Sequence, residues 1–173
     1  METSKLELIK QNDPILKTPT TPFVFTDSEQ DPRKLAEDLA NKMIELRGVG
    51  LAAPQVGIPL SVFVVGDPSN KESIMAFFNP TIVDNTIEQT YQEEGCLSFP
   101  GLYINIKRPN GIRLRFTDMY GETTTIKYSG FTARAIQHEY DHLQGVLFKS
   151  KATKYHLEKA MKDHKLLTRH ISK

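Results

Sequence analysis

Two histidines four residues apart, His138 and His142, constrain this chain more than any other feature. They stand in the string Gln137-His138-Glu139-Tyr140-Asp141-His142. Around it Ala135, Ile136, Glu139 and Leu143 recur at spacings of three and four, and Gly145 follows as a stop. This predicts a helix over about Phe131 to Leu143. Side chains at i and i+4 share one helix face, with Cβ atoms about 6 Å apart. Two imidazoles at that spacing can close on one metal ion. Glu139 can then reach a water on the open side of the ion and act as a general base. A helix with several charged residues also presents such a pattern by chance, so the string alone does not fix the chemistry.

A metal site that works on a substrate needs a third protein ligand and one position left open. Cys96 offers one, in Glu94-Gly95-Cys96-Leu97-Ser98-Phe99-Pro100. A thiolate ligand would explain a lone cysteine; the bland alternative is a small buried apolar residue. Gly95 lets backbone approach closely, and Pro100 is expected to end any strand. Glu158 is the other candidate, as in some metallopeptidases, but it lies in a strongly basic segment where Glu158 and Lys162 make an ordinary i,i+4 pair. A purely structural metal would need a fourth ligand, and His156, His164 and His170 all sit in the basic tail. A third string, Gly48-Val49-Gly50-Leu51-Ala52-Ala53-Pro54-Gln55-Val56-Gly57, leaves a helix and enters a strand. Gln55 could place its amide N–H₂ on an oxyanion. Glycine-rich turns are ordinarily only turns, and this one lacks the Lys-Ser/Thr ending of a phosphate loop.

The rest of the chain is ordinary in ways that exclude other classes. Its 173 residues suit a single domain, 1–173, with a core that needs no staples. A net charge of +1 advertises neither a nucleic-acid nor a membrane partner for the chain as a whole. One cysteine forbids an intrachain disulfide and fits a reducing compartment. No apolar run approaches the roughly 18 residues of a membrane span. The opening Met1-Glu2-Thr3-Ser4-Lys5 lacks a signal-peptide core. A cytoplasmic location is expected, and an organellar protein without its presequence would look the same.

Residues 1–30 read as an irregular lead-in containing Pro14, Pro19 and Pro22. Asp31-Pro32 then opens a helix with Asp as N-cap and Pro at its first position. Leu35, Leu39 and Met43, with Ala36, Ala40 and Ile44, give it one apolar stripe, and Gly48 is expected to end it. Leu60–Val65 and Ile74–Phe78 read as strands. Ile112-Arg113-Leu114-Arg115-Phe116 alternates strictly, so one face is wet; Asp118–Gly121 reads as a turn, and Thr123–Tyr128 as the returning strand. A basic amphipathic helix covers about Thr153 to Arg169, with Leu157, Ala160, Met161 and His164 on one side. Strands bunched between helices predict an α+β fold.

In their order, Gly-x-Gly-Leu-Ala-Ala-x-Gln, Glu-Gly-Cys-Leu-Ser and Gln-His-Glu-x-Asp-His resemble the three signature motifs of the peptide deformylases, from roughly Asp13 to Phe148. The resemblance implies an α+β fold with strands packed around a central metal-binding helix. It implies Cys96, His138 and His142 as ligands of one divalent ion, with a water in the fourth position. The family usually employs Fe(II) in cells and accepts Ni(II), Co(II) or Zn(II), and the ligand set suits Zn and Fe equally. Glu139 becomes the general acid–base, with the Gln55 amide and the Leu97 N–H on the oxyanion. The implied reaction removes the formyl group from the N-terminal formylmethionine of nascent proteins and releases formate.

The resemblance places an extended substrate along Val49-Gly50 and Gly101–Tyr103, with Glu94 and Gly95 also on the substrate-binding side. Such pairing reads backbone rather than side chains. Glu94 and Arg108 resemble a pair that braces the Cys96 loop. From Lys149 to Lys173 seven Lys and one Arg face only Glu158 and Asp163, so residues 150–173 form a basic C-terminal helix in a nearly neutral chain. Contact with the RNA of the ribosome is one reading; solvation of one helix face is the other.

Overall fold

The computed structural model describes residues 6–171, the last two by backbone alone. The opening Met1–Lys5 lies outside them. Helix α1 (Pro32–Glu45) begins as expected: the Asp31 side chain accepts from the N–H groups of Arg33 and Lys34 at 3.0 and 3.2 Å. Its end differs. Arg47 takes the left-handed conformation (φ 56°), its N–H bonds the Ile44 carbonyl, and Gly48 N–H reaches the Met43 carbonyl at 2.9 Å. The left-handed position of this cap is therefore Arg47, and Gly48 follows it.

Strands β1 (Gly50–Ala52), β2 (Val62–Val65), β3 (Met75–Asn85), β6 (Gly111–Thr117) and β7 (Thr123–Ser129) form one antiparallel sheet in the order β1-β2-β3-β6-β7. Strand β4 (Gln89–Cys96) pairs with β5 (Phe99–Pro109) as a separate hairpin. β3 outruns its apolar run because Pro80 falls in a register shift, not in the regular ladder. Next to it, Asn79 (φ 48°) bonds both the N–H and the carbonyl of Phe23, tying the lead-in to the sheet. The lead-in is thus structured in part: Leu16 and Phe23 are buried.

Pro100 does not end a strand; it lies within β5. Gly95 pairs with Tyr103 and Cys96 with Phe99, so Pro100, Gly101 and Leu102 bulge from the ladder, where a missing N–H costs nothing. β4 escaped periodicity because most of its side chains are exposed and polar.

Helix α2 (Gly130–Leu143) ends at Gly145 (φ 69°), as expected. One side of it packs on the five-stranded sheet through Ala133, Ile136 and Leu143 against Phe63, Phe77 and Leu114. Its other side meets the β4–β5 hairpin: Arg134 donates to the carbonyls of Ile106 and Thr90, and Gln137 to that of Pro109. A helix enclosed this way is buried nearly all round. The sheet's opposite face packs on α1 through Leu39, Met43, Val62, Val64 and Phe78. Helix α3 (Lys154–Ile171) docks on β5 through Leu157 and Ala160. Met161, expected on that side, is largely exposed. The architecture is α+β, with strands around a central helix.

Candidate active site

The enclosure of α2 determines what its polar residues can do. Buried imidazoles and carboxylates must find partners or shift their protonation. His138 and His142 lie one turn apart, with ring centroids 5.2 Å from each other. Opposite them is Cys96, at the end of β4, its Sγ 3.3 Å from His142 Nε2. One ligand atom from each of the three lies within 4.8 Å of the others, so the group could hold a metal ion. Among the described residues no further His, Cys, Asp or Glu joins it. Glu158 is elsewhere, 68% exposed on α3 and paired with Lys154, not Lys162. Both lysines are i±4 neighbours, so helix geometry permits either.

Several observations test whether a cation suits this point. Glu94, two residues before Cys96 on the same face of β4, accepts from Arg108 Nε and Nη2 at 2.6 and 3.0 Å and from Arg134 at 2.7 Å. Its second oxygen lies 3.0 Å from His138 Nδ1. With Nδ1 engaged there, His138 Nε2 is left for the metal group. Burial pushes the His142 imidazole down to about 3, helped by the nearby charges of His138 and Arg108, so it is neutral and its lone pair is available. Burial alone would lower His138 too. Cys96, Glu94 and Glu139 outweigh it and hold a proton on the ring up to about 10. An anionic surround that retains a proton is one that favours a cation. His142 Nδ1 and Glu139 Oε2 are buried without a protein partner, a costly state that a further ligand or water would relieve. Thiolate and imidazole donors suit Zn and Fe alike.

Glu139 projects toward β1. A Cβ built on Gly50 would meet Glu139 Oε1 at 2.5 Å, so only glycine admits the carboxylate here. Burial pushes the Glu139 carboxyl up to about 7, although His138 opposes it. Gln55 is held from both ends: its oxygen accepts from Ala52 N–H at 2.9 Å, and its amide nitrogen donates to Ser98 Oγ at 3.1 Å and toward Cys96 Sγ at 3.6 Å. Leu97, the next residue after Cys96, sits in the turn between β4 and β5.

A cleft of about 600 Å³ opens on this cluster. Val49 and Gly50 line one side, and Gly101, Leu102 and Tyr103 another. β1 is an edge strand, and Val49 and Tyr103 are 41% and 56% exposed. The Tyr103 ring covers Gly95, where a Cβ would come within 2.8 Å of it. Glu94 borders the cleft, but its carboxylate is engaged by Arg108, Arg134 and His138. Sequence reasoning gave no role to Arg134, Ser98 or Asp141, the last of which accepts from Arg108 at 2.8 Å. Arg134 stands one helical turn before His138, a signal available in principle.

A thiolate and two imidazoles closing on one point, with an uncommitted buried carboxylate beside them, follow the plan of hydrolases built for a single metal ion. The family model described as polypeptide deformylase matches residues 5–158. Peptide deformylase 1 of Bacillus cereus is 44% identical over 153 residues, covering 88% of this chain and 96% of that protein. The solved peptide deformylase of Synechococcus elongatus, in complex with actinonin, superposes with a TM-score of 0.84 at 31% identity, covering 94% of this chain and 89% of that one. That of Thermotoga maritima is 36% identical with a TM-score of 0.79, covering 86% and 97%. The chain belongs to the polypeptide deformylase family.

Proposed function

We propose that this enzyme removes the N-formyl group from the N-terminal formylmethionine of nascent proteins, releasing formate and a free amino terminus. The observation that carries this reading is the convergence of Cys96, His138 and His142 beside the uncommitted Glu139 oxygen, on a cleft that Cys96, His138 and Glu139 line together with the edge strand β1. Cys96, His138 and His142 hold one divalent ion, Fe(II) in cells, with Zn(II), Ni(II) or Co(II) as substitutes. When bound, such an ion supplies a Lewis acid that polarises the formyl carbonyl and acidifies water.

The protein's own groups do the rest. The substrate backbone lies extended between Val49-Gly50 and the Gly101–Tyr103 segment, which orients the formyl group without reading side chains. The Gln55 amide and the Leu97 N–H donate to the formyl oxygen as it gains charge. Gln55 is suited to this because its other end is fixed on Ala52. Glu139 takes a proton from the attacking water and delivers it to the leaving amine, a task for which a carboxyl near neutrality is well matched. Glu94 acts through His138, and Arg108 and Arg134 hold Glu94. A formyl carbon bears only hydrogen, so a tight site can exclude acetyl by steric clash.

No described helix is long and apolar enough to cross a membrane, and we place the enzyme in the cytoplasm or an organelle that makes protein. Contact with ribosomal RNA through α3 belongs to the same reading, since Lys154, Lys159, Lys162 and Lys165 are exposed on it. The decisive experiment offers formyl-Met peptide and its acetyl twin to metal-loaded enzyme and measures formate, acetate and internal cleavage. Formate from the first alone is the expected result. Endopeptidase cleavage without formate would overturn the reading.

A further inference from the structure

The Pro100–Leu102 bulge is one side of the cleft, yet the β ladder does not hold it. Pairing passes from Gly95–Tyr103 directly to Cys96–Phe99, so three residues have no partners in β4. Gly101 turns through φ 77°. The buried Leu102 side chain anchors the end of the bulge among Phe99, Ile104 and Phe148. Its start is held from outside the cleft. His164, on α3, places Nε2 3.3 Å from the Pro100 carbonyl oxygen. The same ring lies against Gly101, where a Cβ would sit 3.5 Å from His164 Cδ2. His164 follows Ala160 by one turn on the side of α3 that packs on β5, so the contact continues an established interface.

We infer that His164 is a positioning residue for substrate: its Nε2–H, donated to the Pro100 carbonyl, sets the Gly101–Tyr103 segment at the spacing from Val49-Gly50 that an extended peptide requires. This rests on the deformylase reading and deepens it. The bulge backbone would pair with peptide residues beyond the formylmethionine, while the formyl group itself is handled by Gln55, Leu97 and Glu139. The effect of His164 therefore depends on substrate length. It falls on binding of the remote part of the substrate, a uniform contribution that changes KM without changing kcat.

The test compares formyl-Met-Ala with a formyl-Met peptide three residues longer, in wild type, His164→Ala, His164→Leu and His164→Gln. Leu keeps the packing against Gly101 but has no donor, and Gln restores a donor. Loss of one partly exposed hydrogen bond should raise KM for the long peptide about fivefold in the Ala and Leu variants. kcat should be unchanged, KM for formyl-Met-Ala should stay within about twofold, and Gln should recover wild-type KM on the long peptide. An equal change on both peptides, no change on either, or failure of Gln to restore would overturn the role of His164. If His164→Ala does not fold, the Leu and Gln variants decide the matter alone. Wild-type formate release from formyl-Met-Ala separates the two levels. Its absence sinks the deformylase reading together with this one, whereas its presence with length-independent variants sinks only the His164 inference.

Discussion

Replacing Glu94 with glutamine should weaken both the fold and its hold on metal. The carboxylate accepts from Arg108 at 2.6 and 3.0 Å and from Arg134 at 2.7 Å, and it faces His138 Nδ1 at 3.0 Å. Glutamine has nearly the same shape but brings an N–H₂ against groups that are themselves donors. Asp141 still serves Arg108, but Arg134 would keep only neutral acceptors, chiefly the carbonyls of Ile106 and Thr90, and no carboxylate. Removing one partner of a buried ion pair costs about 3–5 kcal/mol. An independent route agrees: the carboxyl is lowered from 4.5 to about 2 because His138 and Arg108 outweigh its burial, a shift worth on the order of 3 kcal/mol.

In a chain of this size, a loss of that order lowers Tm by roughly 6–12 °C. Freed from Glu94, the His138 ring loses its fixed orientation, and metal affinity should fall about 10- to 100-fold. Thermal unfolding and chelator competition measure the two effects. The folded-state pKa lies below the unfolded one, so the stabilisation is fully present above pH about 4.5 and is lost as pH falls toward about 2. The Tm gap between wild type and Glu94→Gln should thus be constant from neutrality down to about pH 5 and narrow below that. A gap that widens in acid, or a variant with wild-type Tm and metal affinity, would refute the reasoning. A lower Tm with unchanged affinity would show that Glu94 braces the hairpin without orienting His138.

Gly50→Ala should keep its metal but lose turnover by about 10²-fold, because the new methyl displaces Glu139 from its position; formate release beside metal analysis checks both halves. Cys96→Ala should strip the metal while Glu158→Ala leaves it bound, measured by elemental analysis of the purified variants, and the reverse outcome would overturn the ligand assignment. Reversing the charge of Lys159, Lys162 and Lys165 should abolish salt-sensitive cosedimentation with ribosomes while leaving formyl-peptide hydrolysis intact; binding indifferent to both salt and charge reversal would end the docking proposal.

What the sequence determined by itself is what short-range physics governs. The start of α1 was legible because Asp31 and Pro32 cap their own helix. The β6–β7 pair was legible because Ile112, Leu114 and Phe116 alternate with Arg113 and Arg115 and then meet a turn. α2 and its histidine pair were legible because i,i+4 spacing places two rings on one face whatever surrounds them. The family's motif order then joined Cys96 and Gln55 to that pair.

Only the tertiary structure decided the rest, since it depends on contacts between segments far apart in the chain. β4 carries no periodic signal, because its polar face is exposed and its partner slips register at Cys96. The family resemblance paired Glu94 with Arg108, but the engagement of Glu94 with Arg134 and His138 arises only when the hairpin closes over α2. Pro100 read as a strand end because a local rule cannot see that a bulge removes the need for its N–H. The contact of His164 with that bulge follows from α3 folding back on β5. Periodicity and capping are written within single turns and strands, whereas the electrostatics of a buried site depend on which distant charges enclose it.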